Sequence, residues 1–214
     1  MLARFVAAIA AMVVVVTASN ILVQYPVQSD LGPIHLGDLL TWGAFTYPFA
    51  FLVTDLTNRY DGPVRARMVV VVGFVVALAL SAYLATPRIA IASATAFLIG
   101  QLLDISVFSR LRASRSWFLP PLAASLFGSL LDTLIFFSIA FAPALGFVDG
   151  LFGMEDGSLG FPAPWLGVGG EVPLWTSLAT GDFLVKFLAA LLLLAPYRLL
   201  MGRLMPLQPV PKAA

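Results

Sequence analysis

Residues 66–85 read ARMVVVVGFVVALALSAYLA, twenty residues whose one charge, Arg67, stands next to the start. Coiled into a helix that rises about 1.5 Å per residue, the stretch is about 30 Å long, the thickness of a bilayer's hydrocarbon core. The pattern recurs on both sides of it. Residues 5–24, 89–108, 119–141 and 175–200 are apolar runs of the same order of length, and residues 37–56 form a weaker one, interrupted by Pro48 and diluted by Thr41, Thr46, Thr54 and Asp55. In lipid only helices and closed barrels satisfy every backbone polar group, and these runs are too long and too continuous for barrel strands of about ten residues. The reading is all-α: a polytopic membrane protein with six transmembrane helices, forming a single transmembrane domain over residues 1–214.

Composition agrees. Of 214 residues 60% are hydrophobic and 11% charged, against about 45–50% and about 25% in soluble domains. The mean hydropathy is +0.97. A formal net charge of +1 offers no basic patch for nucleic acid. With no cysteine and with His35 as the one histidine, the chain has no thiolate or imidazole metal site, no disulfide and no conventional catalytic triad. Neither a cofactor nor catalytic residues are expected. Residues 1–4 and Thr17-Ala18-Ser19 have some features of a cleaved leader, but the length of the first run favours a retained helix.

The loops predict orientation. Six crossings put Arg4, Arg59, Arg65, Arg67, Arg110, Arg112, Arg115, Arg198, Arg203 and Lys212 on one side and Arg88 alone on the other. The positive-inside rule then places both termini in the cytoplasm. Residues 142–174, rich in Gly and Pro, carry Asp149, Glu155, Asp156 and Glu171 and no basic residue, which reads as a long external loop with a short interfacial segment near 161–165.

Ionisable side chains inside spans are expensive and therefore candidates for function. They are Asp55, Asp104, Asp132, Asp182 and Lys186. Counting helical rise from the basic loops puts Asp55 roughly 6 Å and Asp104 roughly 9 Å deep, with Lys186 at roughly 18 Å and Asp132 at roughly 25 Å. Asp55 has Arg59 four residues on, and Asp182 has Lys186 at the same favourable spacing, so each pair is open either to mutual neutralisation or to a ligand. Asp104 and Asp132 have no basic residue within four positions. Both sit in one pattern, Gly100-Gln101-Leu102-Leu103-Asp104 and Gly128-Ser129-Leu130-Leu131-Asp132, with Phe108 and Phe136 four residues after the acids. On antiparallel neighbouring helices this resembles a small inverted repeat, an arrangement found around transporter sites. Asn20, Gln24, Asn58, Gln101, Ser125, Ser129 and Thr133 are either interhelical glue or the lining of a polar cavity.

Carboxylates and amides without His or Cys suit binding better than bond breaking. A carboxylate accepts two parallel N–H bonds, such as a guanine-like ring offers along one edge, and aromatic faces supply stacking. The substrate-binding candidates are Asp104, Asp132, Asp55, Gln101, Ser129, Asn20, Lys186 and Asp182, with Trp42, Phe45, Phe49, Phe97 and Phe108 as stacking surfaces. An aspartyl dyad of Asp104 and Asp132 is the one enzymatic alternative.

The segment Tyr47-Pro48-Phe49-Ala50-Phe51-Leu52-Val53-Thr54-Asp55-Leu56-Thr57-Asn58-Arg59-Tyr60 resembles the queuosine precursor transporter family, a vitamin-uptake-like group of six-helix membrane proteins. So does the later stretch from Phe97 to Phe108 and from Ser125 through Asp132 to Phe141. The resemblance covers about residues 35–200. It implies import of 7-deazaguanine precursors, in the nitrile or aminomethyl form, across a bacterial inner membrane. It also admits a substrate-binding subunit of an energy-coupling-factor-type vitamin importer, which needs a partner ATPase module. For that reading the stripe Ala3, Ala7 and Ala11 on the first helix is a docking face. Whether the protein is a homo-oligomer, and which ion drives it, stay open.

Overall fold

The computed structural model describes residues 2–32 and 34–204; Lys212, counted above among the basic residues, lies outside them. Eight helices carry the fold: α1 (Leu2–Leu22), α2 (Trp42–Thr46), α3 (Pro48–Asp61), α4 (Pro63–Leu84), α5 (Pro87–Leu111), α6 (Leu119–Phe141), α7 (Phe147–Leu151) and α8 (Leu174–Leu204). Among the described residues five helices, α1, α4, α5, α6 and α8, are long and apolar enough to cross a membrane. Proline at the first or second helical position of α3, α4, α5 and α6 marks their starts, where a missing N–H costs no helical bond.

The expected span at 37–56 takes a different form. It is the pair α2 and α3, displaced toward 42–61, with Tyr47 between them keeping helical dihedrals (φ −57°, ψ −39°). Pro48 has no N–H to donate, which interrupts the ladder there. The low hydropathy of α3 has a structural cause. It packs against all five long helices, and its polar residues Thr54, Asp55, Thr57 and Asn58 are buried. A helix surrounded by protein needs no apolar surface for lipid, so a hydropathy window underrates it.

Around α3 the long helices form a partial ring in which α1 packs on α4, α4 on α5, α5 on α6, and α6 on α8. The main apolar core joins Met12 and Val16 of α1, Ala50 of α3, Val69, Val70 and Ala77 of α4, and Phe97 and Ile105 of α5. A smaller one joins Phe108, Ala124 and Tyr197 of α5, α6 and α8.

The two ends of the bundle differ in charge. At one end Arg4 lies over the Tyr60 ring and Arg65 over Phe5, Arg59 and Arg112 donate to one another's carbonyls, and Arg198 lies over Trp117. At the other, Arg88 opens α5. Its guanidinium is 1% exposed and donates to Ile139 O (2.7 Å), Ala142 O (2.6 Å), Asp149 Oδ2 (2.7 Å) and Ser158 Oγ (3.1 Å). That one side chain ties the end of α6 to α7 and the following loop. Asp156 stands 3.5 Å from the same guanidinium, and hydrogen bonds from Ser158 hold its carboxyl below the usual range. Two short antiparallel pairs, β1 (Asp30–Leu31) with β2 (Ile34–His35) and β3 (Pro162–Pro164) with β4 (Glu171–Pro173), complete the connections.

Candidate functional site

The most extensive helix contact in the bundle is the crossing of α5 and α6. A Cβ added to Gly100 would lie 2.9 Å from Asp132 Cβ and 3.1 Å from Gly128 O; one added to Gly128 would lie 3.1 Å from Asp104 Cβ and Gly100 O and 2.8 Å from Phe51 Cε1. The two Gly-x-x-x-Asp motifs therefore pack reciprocally, the glycine of each against the aspartate of the other. Only glycine permits this approach. The crossing generates two carboxylate stations, equivalent in backbone and different in surroundings.

At the first station, Asp132 is fully partnered. Tyr47 Oη donates to its Oδ1 at 2.6 Å and Lys186 Nζ to its Oδ2 at 2.7 Å. Lys186 also pairs with Asp182 Oδ2 at 2.5 Å and lies 3.2 Å from Thr133 Oγ1, which itself donates to Asp182 at 2.7 Å. The ammonium sits 5.0 Å from the Tyr47 ring centre, a cation–π contact. Lys186 is thus shared by two carboxylates from α6 and α8, and the network is hydrogen-bonded at every member.

Among the described residues no cation bonds to the second station. Asp104 is completely buried, and neither carboxyl oxygen has a hydrogen-bond partner among the described residues. Asp55 of α3 is a second buried acid without a cation among the described residues. One of its oxygens accepts a long bond from Ser125 Oγ at 3.4 Å and the other is unpartnered. The Gln101 amide accepts from Thr54 Oγ1 at 2.7 Å while its Nε2 has no partner. Arg59 does not neutralise Asp55, since its guanidinium reaches across to Arg112 O instead.

Between the stations runs a cleft lined by Phe51, Leu52 and Asp55 of α3, Ser125 and Ser129 of α6, and Lys186, Ala190 and Tyr197 of α8. Its free volume is about 10 Å³, room for about one water. A roomier recess of about 170 Å³ lies between α8 and the 34–40 turn, but its lining of Ile34, Leu36, Leu40, Leu184 and Leu188 offers a polar ligand no partner.

Seven of the eight candidate residues gather at the two stations and the cleft. Asn20 does not: it accepts from Ser81 Oγ at 2.8 Å and donates to Val16 O, and so fastens α1 to α4. The aromatic candidates fare differently. Trp42, Phe45 and Phe49 are exposed on the outside of the bundle, and Phe97 and Phe108 are core. The rings at the cleft are Phe51 and Tyr197. In sequence, Phe49 and Phe51 look alike, and only the rotation of α3 separates them.

Comparison with known proteins follows the same ground. A family model described as "Putative vitamin uptake transporter" matches residues 41–86 and 81–200. A protein of Escherichia coli K12 named "Queuosine precursor transporter" is 43% identical over 147 residues, 59% of this chain and 64% of that protein. One of Haemophilus influenzae named "Probable queuosine precursor transporter" is 37% identical over 184 residues, 69% of this chain and 78% of its own length. The chain therefore spans slightly under two thirds of the first relative. No solved structure matches.

Proposed function

The chain belongs to this family of vitamin uptake transporters, and on that premise we propose that it imports 7-deazaguanine precursors of queuosine across the bacterial inner membrane, holding the base in the cleft between α3, α6 and α8. Its relatives are named as transporters, and the chain is a multi-pass membrane transporter rather than an enzyme. In this reading α2 and α3 together make the sixth crossing, which puts the arginine-rich end, and with it both termini, in the cytoplasm.

The observation that supports the substrate class is Asp55, a buried carboxylate that lines the cleft with one oxygen unpartnered. A guanine-type edge presents a ring N–H beside an exocyclic NH2, two parallel donors that a carboxylate accepts together. Phe51 and Tyr197 line the same cleft as aromatic surface, and Ser125 and Ser129 add hydroxyls for the remaining heteroatoms. Lys186 lines the opposite end of the cleft with its three donors taken by Asp132, Asp182 and Thr133, and bounds the site there as a fixed positive charge. A bicyclic base is far larger than the present free volume, so loading requires α8 to draw away from α3 and α6.

A cell that cannot make the precursor regains queuosine in its tRNA when given the precursor and this protein. Absence of queuosine, with the protein demonstrably in the membrane, contradicts the reading. The second reading, a binding subunit served by a separate ATPase module, draws on Ala3 and Ala7, which are exposed along α1. Co-purification of such a module from the native membrane selects it.

A further inference from the structure

The cleft between α3, α6 and α8 is closed at its two ends by different contacts. Its lining starts at Pro48, Ser129 and Lys186 and finishes at Asp55, Pro121 and Tyr197 on the same three helices. The first set faces the Arg88 end of the bundle, and the second faces the arginine-rich end. Within about one helical turn beyond the first set, toward Arg88, stand Tyr47, Asp132, Thr133 and Asp182. Tyr47 donates to Asp132 at 2.6 Å, Lys186 to Asp132 at 2.7 Å, and Thr133 to Asp182 at 2.7 Å. One hydrogen-bonded network therefore joins all three walls of the cleft across its Arg88 end.

At the other end Tyr60 Oη donates to Leu200 O at 3.2 Å. Between these two levels, among the described residues, no side-chain hydrogen bond joins α8 to α3 or α6, and the face that α8 turns to the cleft is Ala190, Leu193 and Leu194. The two acids of Lys186 lie on opposite sides of the α6–α8 seam. Asp132 belongs to α6, whereas Asp182 belongs to α8 itself, one turn before the lysine. Asp132 alone would neutralise the ammonium, so the closed network has one acid more than its charge requires. That acid gains a use once α8 draws away from α6. The bonds from Lys186 to Asp132 and Thr133, and from Thr133 to Asp182, then break, but the pair at i,i+4 travels with the helix. An ammonium stripped of every partner inside the bundle is strongly unfavourable, and Asp182 spares Lys186 that state. Asp132 keeps the Tyr47 hydroxyl on Oδ1 and turns Oδ2 to entering water.

We propose that the network of Tyr47, Asp132, Thr133, Asp182 and Lys186 is the external gate of the cleft, with Lys186 held by Asp132 and Asp182 together when the gate is shut and by Asp182 alone when it is open. Asp182 is thus a counterion carried on the moving helix, and Thr133 is a fastening that exists only in the closed form. The gate rests on the transporter reading above for what passes through it and for which side is external, but its opening can be observed with no substrate present.

The chain has no cysteine, so Ala190→Cys places a lone thiol in the cleft, one turn past Lys186. A charged, membrane-impermeant methanethiosulfonate is applied to right-side-out and to inverted membrane vesicles, and the rate of labelling is measured. Thr133→Val removes two bonds across the α6–α8 seam and leaves both acids in place. It is expected to raise labelling from outside about tenfold or more, as loss of hydrogen bonds to charged groups does, and to leave labelling from inside unchanged. Adding Asp182→Asn to Thr133→Val, where the Thr133–Asp182 bond is already gone, returns the external rate toward that of Ala190→Cys alone, because an opened Lys186 then has no acid to keep. Ser129→Cys, on the opposite wall, repeats the measurement should Ala190→Cys fold poorly. An external rate that Thr133→Val leaves unchanged, a rise from both sides alike, or a double variant that labels as fast as Thr133→Val overturns the gate. Any of these beside intact deazapurine uptake leaves the transporter reading standing. The one-sided rise and its reversal, in a protein that moves no deazapurine, keep the gate and remove that reading.

Discussion

Asp132 and Asp104 are placed by the same five-residue pattern on two helices that cross glycine to aspartate, yet one ends in a complete ion network and the other in none. The difference comes from outside the repeat. Helix α8 contributes Lys186 and Asp182 to the first station, and α3 brings a second acid, Asp55, to the other. Local sequence fixed the geometry of the crossing, and the third helix at each end determined its charge. A compensated station acts as structure, whereas an uncompensated one retains affinity for a cation or a donor-rich ligand.

The contrast is broken most severely at Lys186. Replacing it with Met leaves the buried Asp132 and the partly buried Asp182 without a cation and is expected to cost about 3–5 kcal/mol, read as a fall in the unfolding midpoint in detergent. Asp104→Asn should do the opposite, because it removes an acid that has no partner. Stability stays level or rises, since an amide carries no charge to desolvate in the interior. Equal destabilisation by the two substitutions would show that the stations do not differ as described.

Next in size is the crossing itself. Gly100→Ala drives a methyl to 2.9 Å from Asp132 Cβ and Gly128→Ala one to 2.8 Å from the buried Phe51 ring. Overpacking of this kind costs about 1–3 kcal/mol, and the reciprocal geometry makes the two losses similar. Thermal melts of both variants check it. Because the two glycines touch, the double variant should depart from additivity.

Much of this was legible in the chain. Helix α6 runs from Leu119 to Phe141, the bounds its apolar run gives, and the repeated Gly-x-x-x-Asp pattern marks the crossing. The Lys186–Asp182 pair follows from i,i+4 spacing. What sequence alone could not supply is the rotation of each helix about its axis. That rotation brings Tyr47 to Asp132 across 85 residues, turns Phe51 rather than Phe49 to the cleft, and spends Asn20 on Ser81. Hydropathy also misjudged α3, since the helix most enclosed by protein carries the most polar interior face. Arg88 looked like an ordinary loop arginine; its burial depends on carbonyls at 139 and 142 and on Asp149, which only the folded connection gathers.

The smallest expected effect lies outside the bundle, where a charge pair faces solvent. His35 and Asp30 approach within 2.7 Å across the β1–β2 turn, with both side chains more than half exposed. The hydrogen bond that the His35 ring donates to Asp30, and then the charge of Asp30, raise the His35 pKa above 6.5. The contribution of this pair is therefore complete below pH 6.5 and is lost as pH climbs through the raised folded value. A ring titration by NMR should show the midpoint above 6.5, and Asp30→Asn should bring it down. No change in the unfolding midpoint is expected from that substitution, in contrast to Lys186→Met.

The central claim is that an interior carboxylate at the cleft receives a deazapurine. Calorimetric titration of the nitrile and aminomethyl precursors and of guanine into the purified protein, beside its Asp55→Asn variant, tests it directly. Saturable binding of a precursor by the wild type, weakened at least tenfold in the variant as loss of a charged acceptor requires, is the expected result. Undiminished binding by Asp55→Asn, or no binding by a folded wild type, contradicts it.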